Sequence, residues 1–205
     1  MMENRITQKA QELFFRYGLK SVTMDDIAAA LGISKKTIYQ YYDNKDSLVD
    51  AVVQHQINLS SKECQVHNEQ CDNAVHGMFL AMDMMQDMLS SVNPSLFFDM
   101  QKYHPEAFRK FSQHKNEFLY AVIRQNIERG QKEGLYREDV NADILAKFRI
   151  ESVFLALNTD LFAPEKYSLL QVELSIMENF LYGIATTKAH RQILKYKKQR
   201  QNTNL

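Results

Sequence analysis

Two helix-start signals lie close together near the beginning of the chain. Thr23 and Ser34 each precede a short stretch of helical periodicity, and both residue types accept hydrogen bonds from the free amides of a first helical turn. Asp26 stands three residues after Thr23, which is the spacing of a capping box. Gly32 lies between the two stretches, where a tight turn favours a residue that tolerates positive φ. The sequence therefore predicts two helices, residues 23–31 and 34–42, joined by a short turn.

The charges at the helix starts are unusual for a solvated surface. Lys35 and Lys36 fall in the first turn of the second predicted helix, and Lys45 begins the next helix after Asn44. The helix dipole disfavours a cation at such a position by roughly 0.3–1 kcal/mol. The free amides of a helix start attract anions, however, so lysines placed there are consistent with phosphates approaching these ends. The pattern predicts a nucleic-acid contact, and an ordinary solvated helix remains the alternative.

The second predicted helix divides into an inner and an outer face. Ile38 and Tyr42, four residues apart, point inward. The outer face is rich in hydrogen-bond donors and aromatic rings and contains no acidic residue. It consists of Lys35, Lys36, Thr37, Tyr39, Gln40 and Tyr41.

Residues 23–48 read Thr-Met-x-x-Ile-Ala-x-x-x-Gly-Ile-Ser-x-x-Thr-Ile-Tyr-x-Tyr-Tyr-x-Asn-Lys-x-x-Leu, which resembles the DNA-binding signature of the TetR family of bacterial one-component repressors. An amphipathic helix over residues 6–17, closed by Gly18, fits as well. The resemblance is specific over residues 5–55, with a weaker echo in Arg-Gly-x-x-x-Gly-x-Tyr-Arg-x-Asp-Val at residues 129–140. It implies a homodimeric repressor that binds a double-stranded DNA operator and whose variable C-terminal domain binds a small molecule. The expected DNA-contacting residues are Thr23, Ser34, Lys35, Lys36, Thr37, Tyr39, Gln40, Tyr41 and Lys45.

The rest of the chain reads as helices separated by polar breaks. Of 205 residues, only three are proline and six glycine, which leaves room for long helices. We expect an all-α protein of about nine helices, with an N-terminal three-helix DNA-binding domain over residues 1–46 and a helical regulatory domain over residues 47–205. Beyond the first three helices, the predicted ranges are 44–67, 72–91, 95–102, 104–134, 141–161 and 164–195.

The overall charge and hydropathy limit the classes of partner. The formal net charge is zero, so affinity for DNA has to come from local patches. No segment approaches eighteen consecutive apolar residues, and the first residues lack the apolar run of a signal peptide. We therefore expect a cytoplasmic protein without a membrane partner and without a cofactor.

Two C-terminal segments are apolar on more than one side. A helix with two apolar faces is buried on both, and one face can serve the domain core while the other contacts a second subunit. Pairing also suits DNA reading, because one recognition helix reads few bases. A central core helix is the alternative. The expected dimer-interface residues are Phe148, Leu155, Leu170, Leu174, Met177, Leu181 and Ile184.

Six of the ten methionines fall between residues 78 and 100. Methionine adapts to irregular cavities and is frequent at promiscuous binding surfaces, so this cluster suggests an apolar effector pocket. Ordinary core packing is the alternative. The expected pocket residues are Phe79, Met82, Met85, Met88, Phe97, Met100, Tyr103 and Tyr120.

The cysteines leave three interpretations open. Cys64, His67 and Cys71 share one side of an unbroken helix, and with His55 or His76 they could supply four metal ligands. A turn at residues 68–70 would instead bring the two thiols together for redox sensing. Two scattered cysteines in a cytoplasmic protein are, however, usually reduced and inert. We expect no metal.

Two other functional classes compete with a DNA-binding regulator. A helical metal-dependent enzyme is one, but the sequence contains neither a glycine-rich phosphate loop, nor paired Glu-x-x-His motifs, nor a nucleophile motif. A protein-binding module is the other, and lysines at helix starts argue against it. Residues 188–200 contain six basic residues and no acid, which fits either a solvated helix end or an auxiliary nucleic-acid contact. We interpret the chain as a regulator, not an enzyme, either with a small-molecule effector or without one.

Overall fold

The computed structural model describes residues 1–90 and 92–203, with side chains through residue 200, and most of these residues are helical. The helices are α1 (Met2–Tyr17), α2 (Met24–Leu31), α3 (Lys35–Tyr39), α4 (Lys45–Gln70), α5 (Ala74–Leu89), α6 (Leu96–Tyr103), α7 (Pro105–His114), α8 (Tyr120–Lys132), α9 (Ala142–Ala156), α10 (Leu169–Ile184) and α11 (Thr187–Thr203). A π-helical turn, Lys115–Leu119, joins α7 to α8. The predicted all-α fold is confirmed, although it has more helices than the nine expected.

Three predicted boundaries are wrong. Helix α3 ends at Tyr39 rather than at residue 42, and α4 continues through Gln70, so no turn forms at residues 68–70. The segment predicted as one helix over residues 164–195 contains two helices, α10 and α11, which are separated at Ala185 and Thr186.

The chain forms two compact units. The first contains residues 1–61 and 91–114, and the second contains residues 62–90 and 115–205. The boundary expected at residues 46 and 47 therefore falls inside the first unit, at the start of α4. Within the described residues, no helix is long and apolar enough to cross a membrane.

The first unit has its own small core. Its fully buried side chains come from four helices and include Ile6, Phe14, Ile27, Ile38 and Leu48. On α1, Ile6, Ala10 and Phe14 are four residues apart and fully buried, which is the spacing of one helical face. Burial of one apolar side chain contributes roughly 1.5–3 kcal/mol, so this cluster fixes how α2 and α3 are held.

Helices α6 and α7 belong to the first unit, and polar contacts attach them to α1 and α4. Buried Asp99 accepts a hydrogen bond from the Lys20 amide at 3.1 Å. His104 Nδ1 lies 2.6 Å from Asp46 Oδ1 at the start of α4. Gly18 has a φ of 84°, and a Cβ there would lie 3.3 Å from Asp99 Oδ2. The turn after α1 therefore requires glycine for its backbone angle, and the space beside it is tight.

The second unit packs around the apolar faces of α5, α8, α10 and α11. Ile127, Leu135, Leu181 and Ile193 are among its fully buried side chains. Gly130 lies against the buried ring of Tyr136, where a Cβ would come within 2.0 Å of the ring. The Gly-x-x-x-Gly-x-Tyr echo of the sequence therefore marks a close helix–ring contact.

Candidate DNA-binding site

The start of α2 has the predicted capping box. Thr23 Oγ1 accepts from the Asp26 amide at 3.2 Å, and the Asp26 carboxylate accepts from the Thr23 amide at 2.8 Å. Hydrogen bonds from the Thr23 hydroxyl and amide lower the pKa of Asp26. Both polar groups of Thr23 are thus already used inside the protein, and they fix where the turn begins.

The turn between α2 and α3 also follows the local chemistry of the sequence. Gly32 has a φ of 65°, in the left-handed region, and its amide donates to the last carbonyls of α2. Ser34 Oγ then accepts from the Thr37 amide at 3.1 Å, which caps α3. The helix-turn-helix geometry is therefore specified by residues within a dozen positions of one another.

The inner face of α3 anchors it to the first unit. Ile38 is fully buried, and Tyr42 is buried with its hydroxyl 2.6 Å from Thr7 Oγ1 on α1. Burial raises the pKa of Tyr42, so this phenol remains a neutral hydrogen-bonding group. These two contacts orient the opposite face of α3 toward solvent.

The outer surface formed by α3 and by the turn after it, residues 40 and 41, is rich in hydrogen-bond donors and aromatic rings, as predicted. Lys36 and Gln40 are exposed, and Tyr39 and Tyr41 each leave 44% of their surface accessible. Amide and ammonium groups of this kind hydrogen-bond base edges and phosphates. Within the described part of the chain, Lys36 has no ion-pair partner. The structure thus brings Lys36, Tyr39, Gln40 and Tyr41 onto one accessible surface.

Lys35 differs from Lys36 because it has an acidic neighbour. Its Nζ donates to Asp25 Oδ2 on α2 at 2.7 Å, and this hydrogen bond raises the pKa of Lys35. The sequence predicts an outer surface free of acid because no acidic residue lies within residues 34–42, whereas Asp25 is on α2. No local signal could have paired two residues from different helices.

Lys45 does not point freely into solvent either. Its Nζ donates to the Leu19 carbonyl and lies 5.8 Å from the centre of the Phe14 ring. Partial burial lowers the pKa of Lys45. In this arrangement the ammonium group joins the end of α1 to the start of α4. Of the three lysines predicted to meet phosphates, only Lys36 is therefore without an internal partner among the described residues.

The predicted effector residues are distributed over both units. Phe79 and Met82 are buried in the core of the second unit, and Tyr120 packs on that core and donates to Asp143 at 2.5 Å. Met85 and Met88 are partly accessible on α5. In the first unit, Met100 is buried, Phe97 packs on Phe111, and Tyr103 is largely exposed beside Lys20 and Lys102.

The predicted dimer residues also fall into two groups. Met177, Leu181 and Ile184 are buried in the core of their own chain, so they serve the alternative role of core residues. Leu170 and Leu174 are partly buried. Phe148 and Leu155 are exposed on α9, at 57% and 47% of their surface. Ile144, one helical turn before Phe148, is 60% exposed and extends this apolar stripe.

The two cysteines are not brought together by a turn. Helix α4 runs through Gln70, and an α-helix rises about 1.5 Å per residue. The helical residues after Cys64 therefore keep its thiol away from Cys71. Cys71 accepts a hydrogen bond from Arg129 Nη1 at 2.8 Å, and neither cysteine forms a disulfide. The described residues contain no group of three or more His, Cys, Asp or Glu side chains placed to hold a metal ion.

Known proteins share this architecture. The chain is 27% identical over 184 residues to the HTH-type transcriptional regulator YvaF of Bacillus subtilis, covering 89% of this chain and 95% of that protein. It is 25% identical to the HTH-type transcriptional repressor KstR2 of Rhodococcus jostii, covering 72% and 74% of the two chains. The crystal structure of the regulator FadR of B. subtilis in complex with stearoyl-CoA matches with a TM-score of 0.65 at 15% identity, covering 88% of this chain and 98% of that one.

The capped helix pair, its exposed outer face and these similarities define a helix-turn-helix transcriptional regulator. Residues 6–52 match the family model for bacterial regulatory proteins of the tetR family. The family match therefore covers the DNA-binding region, which is the region where the sequence resembles the TetR family.

Proposed function

We propose that this chain is a homodimeric repressor that reads duplex DNA with the outer face of α3 and is released from DNA by a small, largely apolar ligand. The observation that carries the proposal is the accessible surface of Lys36, Tyr39, Gln40 and Tyr41, opposite the buried Ile38. A helix of this size presents three or four side chains to base edges in a major groove. Thr37, partly exposed and hydrogen-bonded to Ser34, lies at the border of this surface.

The proposed roles differ among the DNA-facing residues. Lys36 is assigned a phosphate or guanine contact, and Gln40 is assigned a base contact, since a side-chain amide pairs well with an adenine edge. Thr23 and Ser34 act through the helix caps, because their hydroxyls are hydrogen-bonded within the protein. Lys35 reaches phosphate only by exchanging its contact with Asp25.

A second copy of the chain is the proposed partner of α9. Ile144, Phe148 and Leu155 form an exposed apolar stripe, and Phe148 stacks on the buried Phe180 of α10 at 6.3 Å between ring centres. Exposed apolar patches of this kind mark interaction sites. A two-fold dimer covers the stripe with its own copy and supplies the second recognition helix that a palindromic operator requires.

Ligand control rests on the second unit and on α4. This helix is continuous from the DNA-binding unit into residues 62–70, so a ligand that prefers one arrangement of the regulatory helices can change how the two recognition helices are spaced. The similar FadR was solved with stearoyl-CoA, whose acyl chain is apolar, and this supports an effector with an extended apolar part. We keep residues 47–205 as the regulatory region, with Met85, Met88 and Tyr120 as the accessible part of the predicted pocket.

A titration matrix tests both halves of the proposal. Binding of a duplex taken from upstream of the chain's own gene is measured by fluorescence anisotropy at rising concentrations of a long-chain acyl-CoA. The proposal expects each ligand to lower the affinity of the other by the same factor, because allosteric coupling is reciprocal. If the chain binds specific DNA and no acyl-CoA changes that affinity, the repressor proposal stands and acyl-CoA is excluded as the effector class. Absence of specific DNA binding to any upstream duplex would contradict the repressor itself.

A further inference from the structure

A groove of about 280 Å³ opens between α5 and α11 in the second unit. One end of the groove is aromatic. The rings of His76 and Tyr196 are stacked, with 4.8 Å between their centres and 7° between their planes, and Phe79 lies 5.5 Å from Tyr196. Asn73 donates to the Tyr196 hydroxyl at 3.1 Å, and Tyr196 packs on the core. These contacts hold the aromatic wall in place, so this end is already formed without a ligand.

The other end of the groove is charged. Arg200, near the end of α11, donates from Nη2 to Gln86 Oε1 at 2.7 Å, and its Nε lies 2.5 Å from Asp83 Oδ1. The Nε contact is close but poorly aligned, and the buried Nε has no hydrogen-bond acceptor in the described structure. A guanidinium group needs well-directed acceptors for its planar fork of donors. Arg200 therefore fills this end of the groove while its Nε donor stays without an acceptor.

The charges of the groove do not balance. Asp83 and Asp87 lie one turn apart on the same face of α5, and both line the groove. Arg200 is the cation of the groove lining, and Asp87 has no ion-pair partner among the described residues. The lining thus has one more carboxylate than cations. Like charges at this spacing repel, so an added cation is favoured over an added anion.

We propose that this groove binds an organic monocation that has an amidinium or guanidinium head and an aromatic or short apolar body. The head replaces Arg200 at Asp83 and Gln86, with Asp87 close by, and the body lies against Phe79 and Tyr196. Arg200 then acts as an internal competitor, which the ligand has to displace. The site lies within the second unit and does not depend on the proposed repressor function.

Benzamidinium is a suitable probe because it combines a planar cationic fork with one aromatic ring. Isothermal titration calorimetry compares the intact chain with Arg200→Ala and Lys197→Ala. The control removes an equal charge from the same helix, since Lys197 pairs with Glu178 outside the groove lining. We expect Arg200→Ala to bind benzamidinium about fivefold more tightly than the intact chain, whereas Lys197→Ala leaves the affinity unchanged.

Two further measurements complete the test. Adding Asp83→Asn to Arg200→Ala should remove the gain, and benzoate, a flat anion of similar size, should not bind. Arg200→Gln, which keeps most of the side-chain length, serves if Arg200→Ala lowers the melting temperature. The proposal is overturned if benzamidinium does not bind, if Lys197→Ala gains as much as Arg200→Ala, or if benzoate competes. These titrations contain no DNA, so their failure is distinct from failure of the repressor proposal.

Discussion

Lys35 at the start of α3 is hydrogen-bonded to Asp25 at the start of α2, with 2.7 Å between Nζ and Oδ2. Both side chains are exposed, so the pair contributes little to stability. The pair matters for the proposed DNA contact, because the carboxylate neutralises one of the few cations beside the exposed surface of α3. From the sequence, Lys35 is predicted to contact DNA phosphate, and the pattern does not indicate an acidic partner within the protein.

The first prediction therefore concerns Asp25→Asn. Removing the carboxylate frees Lys35 for a phosphate contact and removes one repelling charge, so affinity for DNA should rise at low salt. If one phosphate contact is gained, the slope of log affinity against log salt should steepen by about 0.9. Fluorescence anisotropy over a salt series measures this slope. Asp43→Asn is the matched control, since Asp43 is exposed and pairs with none of the described cations; equal slopes for both variants would refute the role of the pair.

The second prediction separates base reading from phosphate binding. Gln40→Ala should change which base is preferred at one position of each half-site, with a loss of roughly 1–3 kcal/mol for the preferred base. If Lys36 contacts phosphate, Lys36→Ala should lower the affinity for all DNA sequences. If Lys36 contacts guanine, the variant should lose the base preference at one position of the half-site. Selection from a randomised duplex library measures the preferences. Gln101→Ala, an exposed glutamine on α6, should leave them unchanged; an unaltered preference in Gln40→Ala would remove this residue from the reading surface.

The third prediction concerns Lys45, which contacts the Leu19 carbonyl and the Phe14 ring. Lys45→Ala should lower the melting temperature of the unbound protein, because it deletes a hydrogen bond and leaves the carbonyl unpaired. Lys45→Met keeps the apolar stem and should recover part of the loss. Thermal unfolding without DNA checks both variants. If Lys45→Ala melts at the same temperature as the intact chain, Lys45 does not stabilise the unbound protein, and the phosphate contact predicted from the sequence becomes the better account.

The fourth prediction distinguishes the dimer surface from the core. Phe148→Glu places a charge on the exposed stripe of α9 and should yield a folded monomer. Leu181→Glu places a charge at a fully buried position and should unfold the domain. Light scattering and circular dichroism report the two outcomes separately. If Phe148→Glu remains dimeric, the dimer interface lies elsewhere. If the intact chain is monomeric, the proposed dimer is wrong.

The fifth prediction concerns a buried ion pair between α9 and α10. Arg149 on α9 donates to Glu173 on α10 at 2.5 Å, and both side chains are buried. Burial raises the pKa of Glu173, and its second oxygen has no hydrogen-bond partner in the described structure. Arg149→Ala should cost about 3–5 kcal/mol, since it leaves a buried charge unpaired, whereas the double replacement Arg149→Met with Glu173→Leu should regain most of that loss. Denaturant unfolding measures both; a small cost for Arg149→Ala would mean that water reaches the pair.

The sequence predicted the recognition region well because its signals are local. Thr23, Asp26, Gly32 and Ser34 act on backbone groups within a few residues, so their roles follow from type and spacing. Contacts between helices were not predictable in this way. Asp25 meets Lys35 only after α2 and α3 have packed, and Asp99 meets Lys20 across a separation of 79 residues.

The break between α10 and α11 shows the same limit in the regulatory region. The backbone of Ala185, directly after α10, is extended, and two backbone hydrogen bonds hold it so: the Arg137 amide donates to the Ile184 carbonyl, and the Thr186 amide donates to the Leu135 carbonyl. No proline lies at this break, and Gly183 stands just before it within the apolar pattern, so the pattern continues through the break and predicts one helix. The basic segment after the break is held in place as well, since Lys197 pairs with Glu178 and Arg200 with Asp83.

The most direct test of the account is a footprint of the dimer on DNA upstream of its own gene, repeated over a salt series. The account predicts a two-fold symmetric footprint whose half-sites lie one DNA turn apart, about 34–36 Å, with affinity that falls steeply as salt rises. Substituting Gln40 should change which DNA positions the protein protects from cleavage, and substituting Gln101 should not. An asymmetric footprint, or affinity that does not change with salt, would contradict DNA reading by paired α3 helices.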